Sequence, residues 1–134
     1  MDPNLYKLYS LNNELLKDNS VWPSGLFTGI IESENGSRFW LLNGLKSRID
    51  GPAVIYSYGT EMYFVDDKRH RIGGPAYINP DGTQMYFEDN KCHRMGGPAV
   101  IRPGGAKEYF IYGKRITELE HNLLCDIMKL KGLI

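Results

Sequence analysis

At 134 residues the chain has the length of one domain with one modest core, and its 16 Lys plus Arg balance its 16 Asp plus Glu. No net field therefore draws it toward nucleic acid or an anionic membrane, which leaves only a local patch to do so. Cys92 and Cys125 lack metal-ligand spacing and read as reduced thiols. The start Met1-Asp2-Pro3-Asn4 has no signal-peptide character, and no apolar run approaches about 18 residues, so the expected location is cytoplasmic.

In chain order, Leu5, Leu8, Leu11 and Leu15 recur at spacings of three and four, the pattern of one apolar helix face. Pro3 suits a first helical turn. These residues predict an amphipathic helix over 4–18. Asn19-Ser20 and Trp22-Pro23-Ser24-Gly25 then end it and form a linker to residue 26.

From Thr28 a 23-residue period takes over. Arg69-His70-Arg71-Ile72-Gly73-Gly74-Pro75-Ala76 returns almost unchanged as Cys92-His93-Arg94-Met95-Gly96-Gly97-Pro98-Ala99. One interval earlier stands Ser47-Arg48-Ile49-Asp50-Gly51-Pro52-Ala53. Four units follow, 28–50, 51–73, 74–96 and 97–119. Gly36, Gly59, Gly82 and Gly105 share one column, each opening a segment rich in aromatic and aliphatic residues. Asn43-Gly44, Asp66-Asp67, Asp89-Asn90 and Tyr112-Gly113 close those segments with residue pairs suited to two-residue hairpin turns. Proline cannot donate to a ladder, so the Gly-Gly-Pro run predicts a bend in the returning strand.

The expected fold is mainly β with terminal α-helices: an antiparallel meander of about four 23-residue hairpins, capped by an N-terminal and a C-terminal helix, all in one domain over 1–134. The array occupies 27–116. Strand alternation places Trp40, Tyr63, Tyr86 and Tyr109 on one face and Leu41, Phe64, Phe87 and Phe110 on the other. Thr117-Glu118-Leu119-Glu120 matches a capping box, and Leu119, Leu123, Ile127 and Leu130 predict a helix packing an apolar face against the sheet or its open edge. That helix belongs to the segment 117–134.

The tyrosine-bearing strand, the tight turn, the His-containing return strand and the Asp-Gly turn resemble the MORN repeat family, over most of residues 28–115. Arg48, Arg71 and Arg94 stand where that family typically has glycine, and Gly-Pro-Ala follows, as in divergent MORN-like arrays of large DNA viruses, phages and bacteria. The resemblance implies scaffolding or partner binding, with lipid contact for some members, and brings no catalytic motif.

The function expected is therefore a non-enzymatic protein-binding or scaffold module, such as a viral or phage factor that binds a host protein or an assembly component. Its candidate binding residues are the aromatic column Trp40, Tyr63, Tyr86, Tyr109 and the basic column Arg48, Arg71, Arg94. Zero net charge favours a structural role for the arginines, paired with Asp50, Asp66, Asp67 or Asp89 or stacked on the tyrosines, over a basic ridge for an acidic partner. A peripheral lipid-headgroup binder is the alternative, and a small enzyme using His70 and His93 a further one. Ser47 and Ile116 fill the histidine column in the outer units, which favours a structural role for those rings. No cofactor or metal is expected, and pairing of two copies through a sheet edge is open.

Overall fold

The computed structural model describes residues 5–134. The chain is an antiparallel β meander with an α-helix at its C-terminal end. Two compact units, one ending at Arg69 and the other spanning His70–Ile134, are described in turn.

The first unit opens with a hairpin where the leucine spacing predicts a helix. Strands β1 (Tyr6–Tyr9) and β2 (Leu15–Ser20) pair antiparallel, with Tyr9 opposite Leu15. The Ser10 N–H donates to the Glu14 carbonyl at 2.8 Å and the Asn13 N–H to the Ser10 carbonyl at 3.0 Å, with Asn13 at φ 63°. Asparagine is one of the few side chains that tolerate this left-handed conformation. Asn13 lies one 23-residue interval before Gly36, which takes φ 91° at the same place in the next turn. The N-terminal segment is thus a further, degenerate copy of the repeat with Asn in the glycine column. Shifted by one interval, β1 falls on β3 (Gly29–Glu32) and β2 covers β4 (Arg38–Leu42) and Asn43. Pro3 and Asn4, at the start of the expected helix, lie outside the described residues.

Strand β3 pairs with both β1 and β4, setting Ile31 opposite Leu8 and Ile30 opposite Trp40. Strand β4 turns through Asn43-Gly44, at φ 51° and 80°, into β5 (Leu45–Lys46), and also pairs with β6 (Val54–Ile55). Strands β6 and β7 (Glu61–Met62) form the next pair, and β8 (Phe64–Val65) and β9 (Lys68–Arg69) close a tight hairpin at Asp66-Asp67. Two positive φ values at each two-residue turn are the mirror-image geometry that matches strand twist.

The expected alternation of faces does not hold. Trp40 and Phe64, assigned to opposite faces, pack in one core cluster with Ile30, Ala53 and Val54, while Leu41 joins Leu8 and Ile31. The backbone changes partner at the aromatic position. The Trp40 N–H donates to Ala53 across the sheet at 2.8 Å, and its carbonyl accepts from Ser47 of its own return strand at 3.1 Å. In the next copy Tyr63 falls between β7 and β8, outside either strand. A strand that bends there no longer sends successive side chains to opposite sides.

Ala53, Ala76 and Ala99 follow the signature prolines and are completely buried. Ala53→Leu is expected to lower stability by about 1–3 kcal/mol through overpacking, measured by denaturant unfolding.

The second unit repeats the plan. Strands β10 (Tyr77–Ile78) and β11 (Gln84–Met85) pair, β11 pairs with β14 (Val100–Ile101), and β12 (Phe87–Glu88) pairs with β13 (Lys91–Cys92). Strand β14 then pairs with β15 (Lys107–Ile111), which returns as β16 (Lys114–Ile116). The helix α1 (Glu118–Leu130) carries the expected capping box: Thr117 accepts from the Glu120 N–H, and the Glu120 carboxylate accepts from the Thr117 N–H.

The buried face of α1 corrects the sequence expectation. His121 and Cys125 are buried, whereas Leu119, Leu123, Ile127 and Leu130 are all exposed. The thiol of Cys125 donates to the Met95 carbonyl at 2.6 Å, and His121 Nε2 lies 2.8 Å from the Arg94 carbonyl. Hydrogen bonds to the preceding signature loop, with the half-buried Leu124 and Met128 beside them, seat the helix.

Candidate functional site: the signature loops and their grooves

The arginine and aromatic columns meet. The Arg48 guanidinium carbon stands 4.0 Å from the centre of the Trp40 ring, and that of Arg94 stands 4.0 Å from the centre of the Tyr86 ring. In all three signatures Nη1 donates to the carbonyl of the proline four residues on, at 3.1 Å: Arg48 to Pro52, Arg71 to Pro75 and Arg94 to Pro98. The intervening glycine leaves the space that the guanidinium fills. A Cβ at Gly51, Gly74 or Gly97 would lie 2.9, 2.8 or 3.1 Å from the guanidinium carbon of Arg48, Arg71 or Arg94. The spacing Arg-x-x-Gly-Pro is therefore a clamp: arginine folds back over its own loop, glycine admits it and proline supplies the acceptor.

Arg48 also donates through Nε to Asp50 at 3.0 Å, and this hydrogen bond holds the Asp50 carboxyl below its ordinary range. Trp40 and Tyr109 are buried, while Tyr63, Tyr86 and the three arginines are partly exposed. In the last copy α1 replaces the arginine. The His121 ring sits 5.0 Å from that of Tyr109, and desolvation, then a hydrogen bond with Glu118, pushes the Tyr109 hydroxyl up.

Each signature histidine holds a turn of the following hairpin. His70 Nδ1 accepts the Asp89 N–H at 3.1 Å, and His93 Nδ1 accepts the Tyr112 N–H at 2.9 Å. Asp89 and Tyr112 are first turn residues at φ 47° and 45°, so the imidazoles fix backbone that carries positive φ without glycine. The ring of His93 stacks on Tyr112 at 3.9 Å, and its Nε2 lies 3.3 Å from Glu88.

Burial, opposed by Glu88 and assisted by His121, holds His93 below its ordinary value of 6.5. The unfolded chain then takes up the proton more readily than the native one. This contribution to stability is complete above about pH 6.5 and is lost as pH falls through the native value. Protonation also removes the Nδ1 acceptor. Unfolding free energy is expected to fall between about pH 7 and about pH 5, and less steeply in His93→Asn, by denaturant titration at each pH.

Open grooves flank the clamps. One of about 330 Å³ in the first unit is lined by Leu11, Ile30, Trp40, Leu42, Arg48 and Ile49. Another of about 330 Å³ in the second unit lies between the Arg71–Gly74 loop and Arg94-Met95, beside Tyr86 and Phe87. Ile49 is 99 % exposed and Ile72 89 % exposed, at equivalent places in successive signatures. Sequence reasoning passed over this column. Its signal was an apolar residue inside each polar, glycine-rich turn.

A second missed feature is a run of ring contacts in the first unit. Tyr6, Trp22, Phe39 and Tyr56 meet edge to face with centroids 5.5, 5.3 and 6.0 Å apart, and Tyr56 stacks on Tyr58 at 5.2 Å. Trp22, read as linker, anchors that run.

Among the described residues no cluster of three His, Cys, Asp or Glu could hold a metal ion, and no helix is long and apolar enough to cross a membrane. Comparison with protein-family models, curated proteins and solved structures returned no match.

Proposed function

We propose that this chain is a MORN-like, non-enzymatic protein-interaction module whose contacts are made by the signature loops, as an assembly component or a factor that binds a host protein. The observation that carries the reading is the exposure of Ile49 and Ile72, both branched aliphatic side chains held on clamped loops. A rigid loop presents an apolar tip without losing much entropy on binding. Beneath the tips Arg48 lies over Trp40 and Arg94 over Tyr86, so Trp40, Tyr63, Tyr86 and Tyr109 support the loops of their own units more than they form a contact surface. The engagement of His70 and His93 Nδ1 with backbone N–H groups favours this reading over acid–base chemistry.

Affinity purification of the tagged chain from its native source, followed by mass spectrometry, tests it. A stoichiometric protein partner is expected with the natural sequence and should be lost with Ile49→Asp/Ile72→Asp. Recovery of no such partner, or its retention by the double variant, contradicts the proposal. Flotation with anionic vesicles in place of a protein partner would transfer the loops to a lipid role.

A further inference from the structure

Helix α1 turns its most apolar side chains away from the unit it belongs to. Leu119, Leu123, Ile127 and Leu130 are 68, 54, 49 and 89 % exposed, while His121 and Cys125 are buried. At 3.6 residues per turn those four side chains occupy an arc of about 80°, roughly opposite the buried pair, in a stripe about 16 Å long.

The order of side chains along the helix says what can cover that stripe. Glu118 and Glu120 lie in the first turn, Lys129 in the last and Lys131 at the C-cap. Turned end for end, the stripe maps onto itself. Leu119 comes opposite Leu130 and Leu123 opposite Ile127, while Glu120 and Lys131, which border the stripe on one side at about 60° and about 80° from its centre, come opposite each other. The helix dipoles also oppose each other in that arrangement. Parallel pairing would set like charges side by side, and an anionic lipid surface would meet Glu120 and Asp126 along the stripe's borders.

We propose that α1 is a self-association surface, through which two copies of this chain pair as antiparallel helices about a two-fold axis near the middle of the helix. Such an interface is isologous: each end of the helix supplies the complement of the other. It covers one helix face per partner, below the roughly 800 Å² per partner of a standard interface, so the dimer is concentration-dependent. The surface is separate from the signature loops, and its failure would leave the reading of those loops in place.

Sedimentation equilibrium of the full chain between about 1 µM and about 1 mM is the test. A monomer–dimer equilibrium is expected within that range. Leu123→Glu/Ile127→Glu should raise the dissociation constant at least about tenfold. Both side chains are exposed, so circular dichroism and the unfolding midpoint should hold. Lys131→Glu should weaken the dimer at low salt, and the difference should shrink at high salt. A natural chain that stays monomeric throughout overturns the proposal. So does a dimer indifferent to the Leu123/Ile127 pair, which would place the contact elsewhere, or a monomer that floats with vesicles.

Discussion

Gly44→Ala is expected to lower the unfolding free energy by more than about 2 kcal/mol, measured by denaturant titration. Two penalties act together. Gly44 takes φ 80°, where an L side chain is strained, and a Cβ there would run into the carbonyl oxygen of Gly25. Neither side can yield cheaply, because the Gly44 N–H is bonded to the Phe27 carbonyl at 2.8 Å and the Asn43 N–H to Thr28 Oγ1 at 2.9 Å. The same column supplies the control. Gly113 has φ 85°, but its nearest neighbour is the Lys91 Cβ at 3.9 Å, and Asp67 and Asn90 occupy the position at φ 64° and 67°. Gly113→Asn should therefore change stability by less than about 1 kcal/mol, whereas Gly44→Asn, relieved of the φ strain but not of the collision with Gly25, should still cost more than about 1 kcal/mol.

Arg48→Ala is expected to cost about 2–3 kcal/mol, far more than an exposed charge contributes. It removes a cation from the Trp40 ring and leaves the Pro52 carbonyl without its charged donor. The pair with Asp50 adds little, because that carboxylate is largely exposed. Arg48→Lys should recover only a minor part, since an ammonium cannot lie flat on the indole and reach the carbonyl at the same time.

Much of the hairpin plan was legible because its determinants are local. Gly36, Gly59, Gly82 and Gly105 all take positive φ, and the four residue pairs singled out as tight turns do so at both positions. The capping box at Thr117 formed as the sequence requires. The failures have physical causes. Leu5, Leu8, Leu11 and Leu15 fit a helical period, but Ser10 and Asn13 close a turn in their midst, and Asn in place of Gly hid the extra repeat. A register shift of 23 residues would have exposed it.

The burial of α1 was illegible for another reason. Periodicity finds the apolar face of a helix, yet His121 and Cys125 were chosen by carbonyls that the Arg94-Met95 loop leaves open. Of the candidate binding residues, the two columns were legible as positions of the repeat. Their union through Arg-over-aromatic stacking depends on a fold-back within each loop that spacing alone does not reveal. Ile49 and Ile72 went unnoticed because a single apolar residue in a turn is ordinarily unremarked.

The central claim is that the signature is a clamp, with glycine present to admit the guanidinium. Gly51 does not need positive φ, and the three atoms nearest the position of a Cβ all belong to the Arg48 guanidinium, the first at 2.9 Å. Measuring the effect of Gly51→Ala on unfolding free energy, with and without Arg48→Ala, tests this most directly. In the natural background the change should destabilise by about 1–2 kcal/mol, as the arginine is displaced from Trp40. With Arg48 already removed it should be neutral or stabilising by up to about 1 kcal/mol, the ordinary gain of Gly→Ala where the backbone allows it. Equal losses in the two backgrounds would contradict the account.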